Sequence, residues 1–195
     1  MTIAIFKLHC KSAGHPYVQS GALPVGYFGK YFNGKILPKE WIPPEFEIRR
    51  FSSKLPDIIA WKEPLPLLSE RAVALFRTIA PDCAEYREFT LIRKRPYFVL
   101  NVLAVEDILD VGGSKTSRTS DGRIRSIQEY AFSTAEVPSQ VFKLPGFLDG
   151  PVFVTRQVAQ AVVDAGLIGF QFRDPSINET ALLFAGREAN AFPDA

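Results

Sequence analysis

Residues Pro96–Asp110 read PYFVLNVLAVEDILD, an apolar run that ends in acidic residues and opens into a polar loop. Aromatic and branched side chains dominate Tyr97–Leu103, and a continuous apolar run bounded by turn signals is typical of a buried strand. The charged segment Arg93–Pro96 predicts a turn, and a second strand is predicted before it at Glu85–Ile92. Asn101 is the one amide inside the apolar run, so the predicted strand carries a polar interruption.

Two amphipathic helices are predicted outside this pair of strands, the first over Glu70–Ala80. Ser69 is a suitable N-cap because its hydroxyl can accept from the free N–H groups of the first turn, where the negative charge of Glu70 is also favourable. Pro81 ends the helix because proline cannot continue the hydrogen-bond ladder. The apolar stripe of this helix consists of Val73, Phe76, Ile79 and Ala80.

The second helix is predicted over Arg156–Ala165. Thr155 is its predicted N-cap, and Gly166 supplies the left-handed stop that commonly follows a helix. The stripe expected to face the core consists of Val158, Ala161, Val162 and Ala165.

The remaining segments indicate strands and loops. Strands are predicted near Ile3, Ile5 and Leu8, near Phe46, Ile48 and Phe51, and at Ile124–Phe132, Val141–Leu144 and Gly169–Arg173. The polar block Gly112–Gly122 is predicted to be a loop, and Gly21–Lys35 to form short strands or packed loops. Strands outnumber helices without a regular βαβ alternation. The sequence therefore predicts an α+β fold with a mostly antiparallel or mixed sheet and a loop-rich N-terminal third.

The length of 195 residues suits one large domain with a substantial core. No Ser/Gly-rich linker divides the chain, so residues 1–195 are predicted to form a single domain. Within it we expect an N-terminal part at 1–60, a core at 61–175 and a tail at 176–195 that frays at its end.

Composition limits the class of protein. A hydrophobic fraction of 47% with 23% charged residues is ordinary for a globular protein and argues against disorder. The net charge of +2 is low for a dedicated nucleic-acid binder. The N-terminus does not resemble a signal peptide, and no apolar run is long enough to span a membrane. Cys10 and Cys83 lie far apart in sequence and require no disulfide, so we expect a cytoplasmic protein.

Three acidic residues after the apolar run form the first candidate for chemistry, Glu106, Asp107 and Asp110. Carboxylates can serve acid–base or metal chemistry, but these lack a nearby histidine and the spacing of known metal loops. A solvated strand end is the favoured interpretation, and no catalytic residue, metal ligand or cofactor is predicted. His9, Cys10 and His15 form the other close grouping of ligand types, which is small for a zinc site.

Basic residues concentrate in the polar block after this acidic group. The candidate contact residues there are Ser114, Lys115, Arg118, Arg123 and Arg125. On one surface they could hold phosphate or an acidic partner. Nearby acids interrupt the positive field, so the interpretation as a protein-contacting loop is favoured over nucleic-acid binding. An enzyme that acts on a nucleotide or small metabolite through Asp107, Asp110 and this loop remains the alternative hypothesis.

Three pieces of sequence together carry a resemblance to a known family. They are Leu68–Arg71 (LSER); Tyr97–Leu103 followed by Asp107, Asp110 and Ser114; and Val141–Gly146, Val152–Arg156 and Ala165–Phe172 (VFKLPG, VFVTR and AGLIGFQF). In this order and spacing they resemble the immunity proteins of bacterial polymorphic toxin systems, the group numbered eleven, over roughly residues 57–173.

The resemblance implies a cytosolic protein that binds and blocks a cognate toxin made by the same bacterium, without catalysis or a cofactor. The matched residues encode strands, caps and turns, so the resemblance assigns no toxin-binding residue. Aromatic anchors with a charged rim are usual in tight interfaces. We therefore add an aromatic group to the candidate contact residues, Tyr27, Phe28, Tyr31 and Phe32, although these side chains would serve equally well in a core.

Overall fold

The computed structural model describes residues 5–10, 15–49, 55–62, 65–133 and 137–177. The strands are β1 Ile5–Cys10, β2 Tyr17–Ser20, β3 Phe46–Arg49, β4 Ile58–Lys62, β5 Leu65–Ser69, β6 Ala84–Ile92, β7 Arg95–Val102, β8 Lys115–Arg118, β9 Ile124–Glu129, β10 Val141–Phe142, β11 Phe153–Thr155 and β12 Phe170–Arg173. The helices are α1 Tyr27–Tyr31, α2 Glu70–Ile79 and α3 Arg156–Asp164. The predicted α+β class is confirmed, as are both predicted helices.

The strands form two main sheets and one separate ribbon. The larger sheet has the order β3-β2-β4-β5-β7-β6 and is mixed, because β2 and β4 pair in parallel while its other pairs are antiparallel. The smaller sheet has the order β10-β11-β1-β12 and is antiparallel throughout. β8 and β9 pair with each other as a two-stranded ribbon. The predicted mostly antiparallel or mixed sheet is thus confirmed.

Strand β7, which lies inside the opening apolar run, is buried on both faces. Val99 belongs to a core cluster with Phe32 and Trp61, whereas Leu100 belongs to a second cluster with Phe76. Successive residues of a strand point to opposite faces, so these two clusters cover the two faces of the larger sheet. Burial on both faces explains why the sequence reads as a continuous apolar run and does not alternate.

Asn101, the polar interruption in β7, ties the N-terminal part of the chain to the sheet. Its side chain is buried, and Nδ2 donates to the carbonyl of Lys35 at 2.8 Å and to Glu85 Oε2 at 3.1 Å. The same carboxylate oxygen accepts from the backbone N–H of Leu37 at 2.8 Å. Residues 35–37 are therefore fastened to β6 and β7 by polar side chains.

The N-terminus of α2 forms the predicted cap and a further polar junction. Ser69 Oγ accepts from the N–H of Ala72 at 3.3 Å and donates to Asp57 Oδ1 at 2.7 Å. Asp57 Oδ2 accepts from the N–H of Ile168 at 2.9 Å. The buried Asp57 carboxylate thus joins β4, the start of α2 and the segment after α3.

Helix α3 follows its prediction except at the cap and in part of its buried face. Gly166 adopts a φ of +60°, as expected for a left-handed stop. The Thr155 hydroxyl does not cap the helix, because it contacts the Gln140 side chain. The buried face consists of Val158, Ala159 and Val162, while Ala161 is half-buried and Ala165 is exposed.

Several segments differ from their predictions. Gly21–Lys35 contains the short helix α1, and the predicted loop Gly112–Gly122 contains β8. The strand predicted at Ile124–Phe132 ends at Glu129. Strands β2, β4, β5 and β11 were not predicted. Strand β5 contains Pro66, which has no N–H to donate, and the register shifts between residues 60 and 62 of its partner β4.

Part of the prediction concerns residues outside the described ranges. Ile3, Phe51 and the tail from residue 178 onward lie outside them. The division into a single domain with parts at 1–60, 61–175 and 176–195 stays a prediction. None of the helices in the described ranges is long and apolar enough to cross a membrane.

Candidate functional site

The β8–β9 hairpin holds all four predicted basic contact residues. Lys115 and Arg118 lie at the two ends of β8. Arg123 directly precedes β9, and Arg125 is the second residue of that strand. All four side chains are exposed. The polar block is therefore an exposed hairpin with a basic character, and the prediction of an irregular loop was wrong for its strand residues.

The base of this hairpin is fixed by side-chain hydrogen bonds to the main chain. Asp110 Oδ1 accepts from the N–H groups of Gly112 and Gly113, both at 3.0 Å. Ser114 Oγ donates to the carbonyl of Asp110 at 2.6 Å and accepts from the N–H of Ala131 at 2.9 Å. The half-buried Ser114 hydroxyl therefore joins the segments that precede β8 and follow β9 at the base of the hairpin.

The tip of the hairpin is also organised. The N–H of Thr119 donates to the carbonyl of Arg123 at 2.9 Å, and Gly122 adopts a φ of +83° in the turn between them. Hydrogen bonds from the side chains of Thr119 and Arg123 lower the pKa of the Asp121 carboxyl, which keeps this acceptor ionised. Arg118 Nη1 donates to the Gly122 carbonyl at 2.8 Å. Such a tip loses little conformational entropy when a partner binds it.

Two of the four cations on the hairpin are paired with acids. Lys115 lies 3.2 Å from Glu129, and Arg123 lies 2.7 Å from Asp121. Arg125 forms no ion pair with any residue of the described ranges. Its guanidinium is the cation on this hairpin that is most available to an acidic partner.

The predicted aromatic group divides between the core and the surface. Phe32 is 2% exposed and packs edge-to-face with Trp41 and Trp61, at ring-centroid distances of 6.0 and 5.8 Å. Three residues of α1, namely Tyr27, Phe28 and Tyr31, are half-buried and pack against the same cluster. Burial raises the pKa of the Tyr27 phenol, whose oxygen accepts from Trp41 Nε1 at 3.2 Å.

Beside α1 lies a cleft of about 620 Å³, which the sequence did not predict. Its walls include β2, the segment from Gly21 to Gly29, and Trp61 of β4. Asp149 lines it from the loop that follows β10. The cleft therefore joins residues that are far apart in sequence.

The acidic residues after β7 do not converge on a common site. Asp110 is engaged by the backbone of its own loop, as described above, while Asp107 is exposed. Neither residue lines the cleft beside α1. Within the described ranges, no group of three or more histidine, cysteine or carboxylate side chains could hold a metal ion, and this includes His9, Cys10 and His15.

The family comparison can now be set beside this geometry. The chain matches the model of the immunity protein family (Imm11) over residues 24–176, which is most of its length. The chain belongs to the Imm11 family. No curated protein matches it significantly.

The Imm11 match extends the resemblance seen in the sequence toward the N-terminus. That resemblance began near residue 57, whereas the match begins at Pro24, before α1, and ends at Ser176, after β12. It therefore includes the aromatic group, the hairpin and the loop that carries Asp149. The hydrogen bonds of Asn101 with Lys35 and of Glu85 with Leu37 give a physical reason for this extension, because they join the N-terminal segment to the matched sheet.

The structure brings together some of the predicted contact residues. The four basic residues share one hairpin with Ser114 at its base, whereas the aromatic group lies on and next to α1. The sequence did not indicate that Asp149 lines a cleft, because this residue lies in a loop of ordinary turn composition. No local pattern could have indicated it, since its position in the cleft depends on long-range packing.

Proposed function

We propose that this Imm11 protein binds a toxin made by its own bacterium, blocks the toxin, and thereby protects the producing cell. The match to the immunity protein family over residues 24–176 is the observation that carries the proposal. The toxin would be bound in the cytoplasm, by contacts alone, and occlusion of its active site or substrate path would block it. Interfaces of this kind need rigid surfaces with aromatic or basic anchors, and the chain offers both.

We propose that the β8–β9 hairpin is one toxin-contacting element. Its base and tip are held by internal hydrogen bonds, so little ordering is needed on binding. Its exposed Arg125 and Arg118 suit an acidic groove on the toxin, where arginine can bind carboxylates in a bidentate manner. The aromatic residues of α1 that reach the surface, Tyr27, Phe28 and Tyr31, form a second proposed contact region.

Co-purification and growth protection test the proposed function. The tagged chain is co-expressed with the product of the adjacent toxin gene, and we expect a stable complex together with normal growth of cells that die when the toxin is expressed alone. Absence of both binding and protection would refute the function.

A charge reversal tests the hairpin separately. Arg125→Glu should weaken toxin binding about tenfold or more, because it places a repelling charge where an attracting one is proposed. Lys94→Glu is the matched control, since Lys94 is an exposed cation in the β6–β7 turn and its replacement makes the same change in net charge. Titration calorimetry should give the control an affinity within about twofold of the parent chain. Equal toxin affinities for Arg125→Glu and Lys94→Glu would show that Arg125 of the hairpin does not contribute to toxin binding. The proposed function would still stand.

A further inference from the structure

The cleft beside α1 has an aromatic wall with polar groups at its rim. Phe28 contacts Tyr27 and Trp61 with ring-centroid distances of 5.4 and 5.5 Å, and all three side chains line the cleft. Ser20 Oγ accepts from Trp61 Nε1 at 3.2 Å, which fixes the indole at the wall. The volume of about 620 Å³ is within the range of protein ligand sites.

Asp149 gives the cleft its charge. Of the described residues that line it, Asp149 is the one with an acidic or basic side chain of the Asp, Glu, Lys, Arg or His type. Its side chain is exposed and forms no salt bridge with any residue of the described ranges. A carboxylate next to a wall of aromatic rings is an arrangement that favours a cation, because the ring faces and the carboxylate both attract positive charge.

The loop that presents Asp149 is held in one conformation. Phe147 donates its N–H to the carbonyl of Leu144 at 3.1 Å, and Gly150 donates to the carbonyl of Phe147 at 2.9 Å. A Cβ on Gly150 would lie 2.8 Å from that carbonyl oxygen, so the tight turn requires glycine. The buried Lys143 ammonium donates to the carbonyl of Leu148, directly before Asp149. The carboxylate is therefore placed by a structured loop.

We propose that this cleft receives a lysine or arginine side chain of the toxin, paired with Asp149 and packed against Tyr27, Phe28 and Trp61. This inference rests on the proposed function and adds the chemistry of one contact. Arginine suits the site best, since its planar guanidinium can stack on an aromatic ring while it donates to a carboxylate. The contact would complement the hairpin, because the hairpin offers cations to the toxin and the cleft accepts one from it.

A peptide titration tests the cleft without the toxin. The probes are N-acetyl-Gly-Arg-Gly-amide and the same peptide with citrulline, which keeps the shape of arginine and removes its charge. At millimolar concentration the arginine peptide should shift the indole N–H resonance of Trp61 in NMR spectra of the full chain. The citrulline peptide should not, and Asp149→Asn should abolish the response. Equal shifts from both peptides, or an unchanged response in Asp149→Asn, would overturn the inference.

Toxin affinity gives the second readout. Asp149→Lys should weaken toxin binding about a hundredfold, and Asp149→Asn about tenfold. The matched control is Asp82→Lys, at an exposed turn position between α2 and β6, which should bind the toxin like the parent chain. Thermal unfolding of each variant checks that the fold is retained. Parent-like affinity of Asp149→Lys would overturn the inference while the proposed function stands. Complete failure of the parent chain to bind the toxin refutes the proposed function, and the peptide titration then decides whether the cleft binds a cation.

Discussion

Burial of Lys143 should make the free energy of unfolding rise with pH in the alkaline range. The side chain is 1% exposed, and burial lowers the pKa of its ammonium to about 8 from its ordinary value of 10.5, although the charge of Asp149 partly opposes this shift. A charged lysine is thus less favourable in the folded state than in the unfolded state at neutral pH.

The sign of the effect follows from proton binding. Between about pH 8 and about pH 10.5 the unfolded chain binds more protons at Lys143 than the folded chain does, so the free energy of unfolding rises with pH in this window. From the two pKa values we expect a gain of about 2 kcal/mol between about pH 7.5 and about pH 9.5. Above about pH 10 buried tyrosines oppose the gain, since burial raises the pKa of Tyr97 to about 12 and also raises that of Tyr86.

Urea unfolding at a series of pH values measures this contribution. Lys143→Met keeps a long unbranched side chain and removes the titrating group, so the difference in unfolding free energy between the parent and this variant isolates Lys143. That difference should change by about 2 kcal/mol over the window in favour of the parent as pH rises. If the unfolding free energies of the parent and Lys143→Met changed in parallel with pH, the prediction would be refuted. Parallel curves would show that Lys143 has the same pKa in the folded and unfolded chain.

Two further predictions concern the junctions that hold the fold and the hairpin. Asp57→Ala should lower the free energy of unfolding by about 2–4 kcal/mol in urea titrations, because it leaves the Ile168 N–H and the Ser69 hydroxyl without their acceptor. Arg71→Ala should cost less than about 1 kcal/mol, because Arg71 is exposed and lies 3.9 Å from Asp57, and an equal cost for both variants would contradict the role of the hydrogen bonds. Gly113→Ala should lower the thermal midpoint by an amount that corresponds to about 1–3 kcal/mol, since the added Cβ would lie 2.7 Å from Asp110 Oδ2 and 3.0 Å from the Cβ of Ala131. Gly112→Ala is its control because the nearest atom to its added Cβ is 3.4 Å away, and equal midpoints for the two variants would refute the steric argument.

The parts of the fold that the sequence predicted well are governed by local signals. Helix α2 has a serine cap, an acidic first turn and a proline stop, and all of these act within a few residues. The β6–β7 pair was predicted from two apolar strands around a charged turn, and Arg93 and Lys94 at that turn adopt φ values of 49° and 67°. A two-residue turn of this kind normally favours glycine or asparagine, so strand pairing here overrides turn preference.

The sequence did not predict elements of two kinds. Some are held by contacts between residues that are distant in sequence, and others bury too few side chains to show an apolar pattern. Strand β5 contains Pro66, which argues against a central strand, yet its neighbours bury Leu67 and Leu68 completely. The β8–β9 hairpin has few buried side chains, so it shows no apolar alternation and its composition matches that of a loop. The cleft could not be predicted because Trp61 and Asp149, which both line it, are far apart in sequence.

The polar residues that interrupt apolar segments share one physical role in this Imm11 protein. Asn101 and Lys143 are both buried, and each donates to a backbone carbonyl of another segment, at Lys35 and Leu148 respectively. A buried donor lowers stability unless its hydrogen bond is made, so each of these two hydrogen bonds favours one conformation of the segment that accepts it, while the buried Asn101 Oδ1 has no hydrogen-bond partner among the described residues. The loop fixed by Lys143 presents Asp149 to the cleft. Burial of the Lys143 charge therefore lowers the stability of the fold, while its hydrogen bond gives the loop beside the cleft a defined conformation.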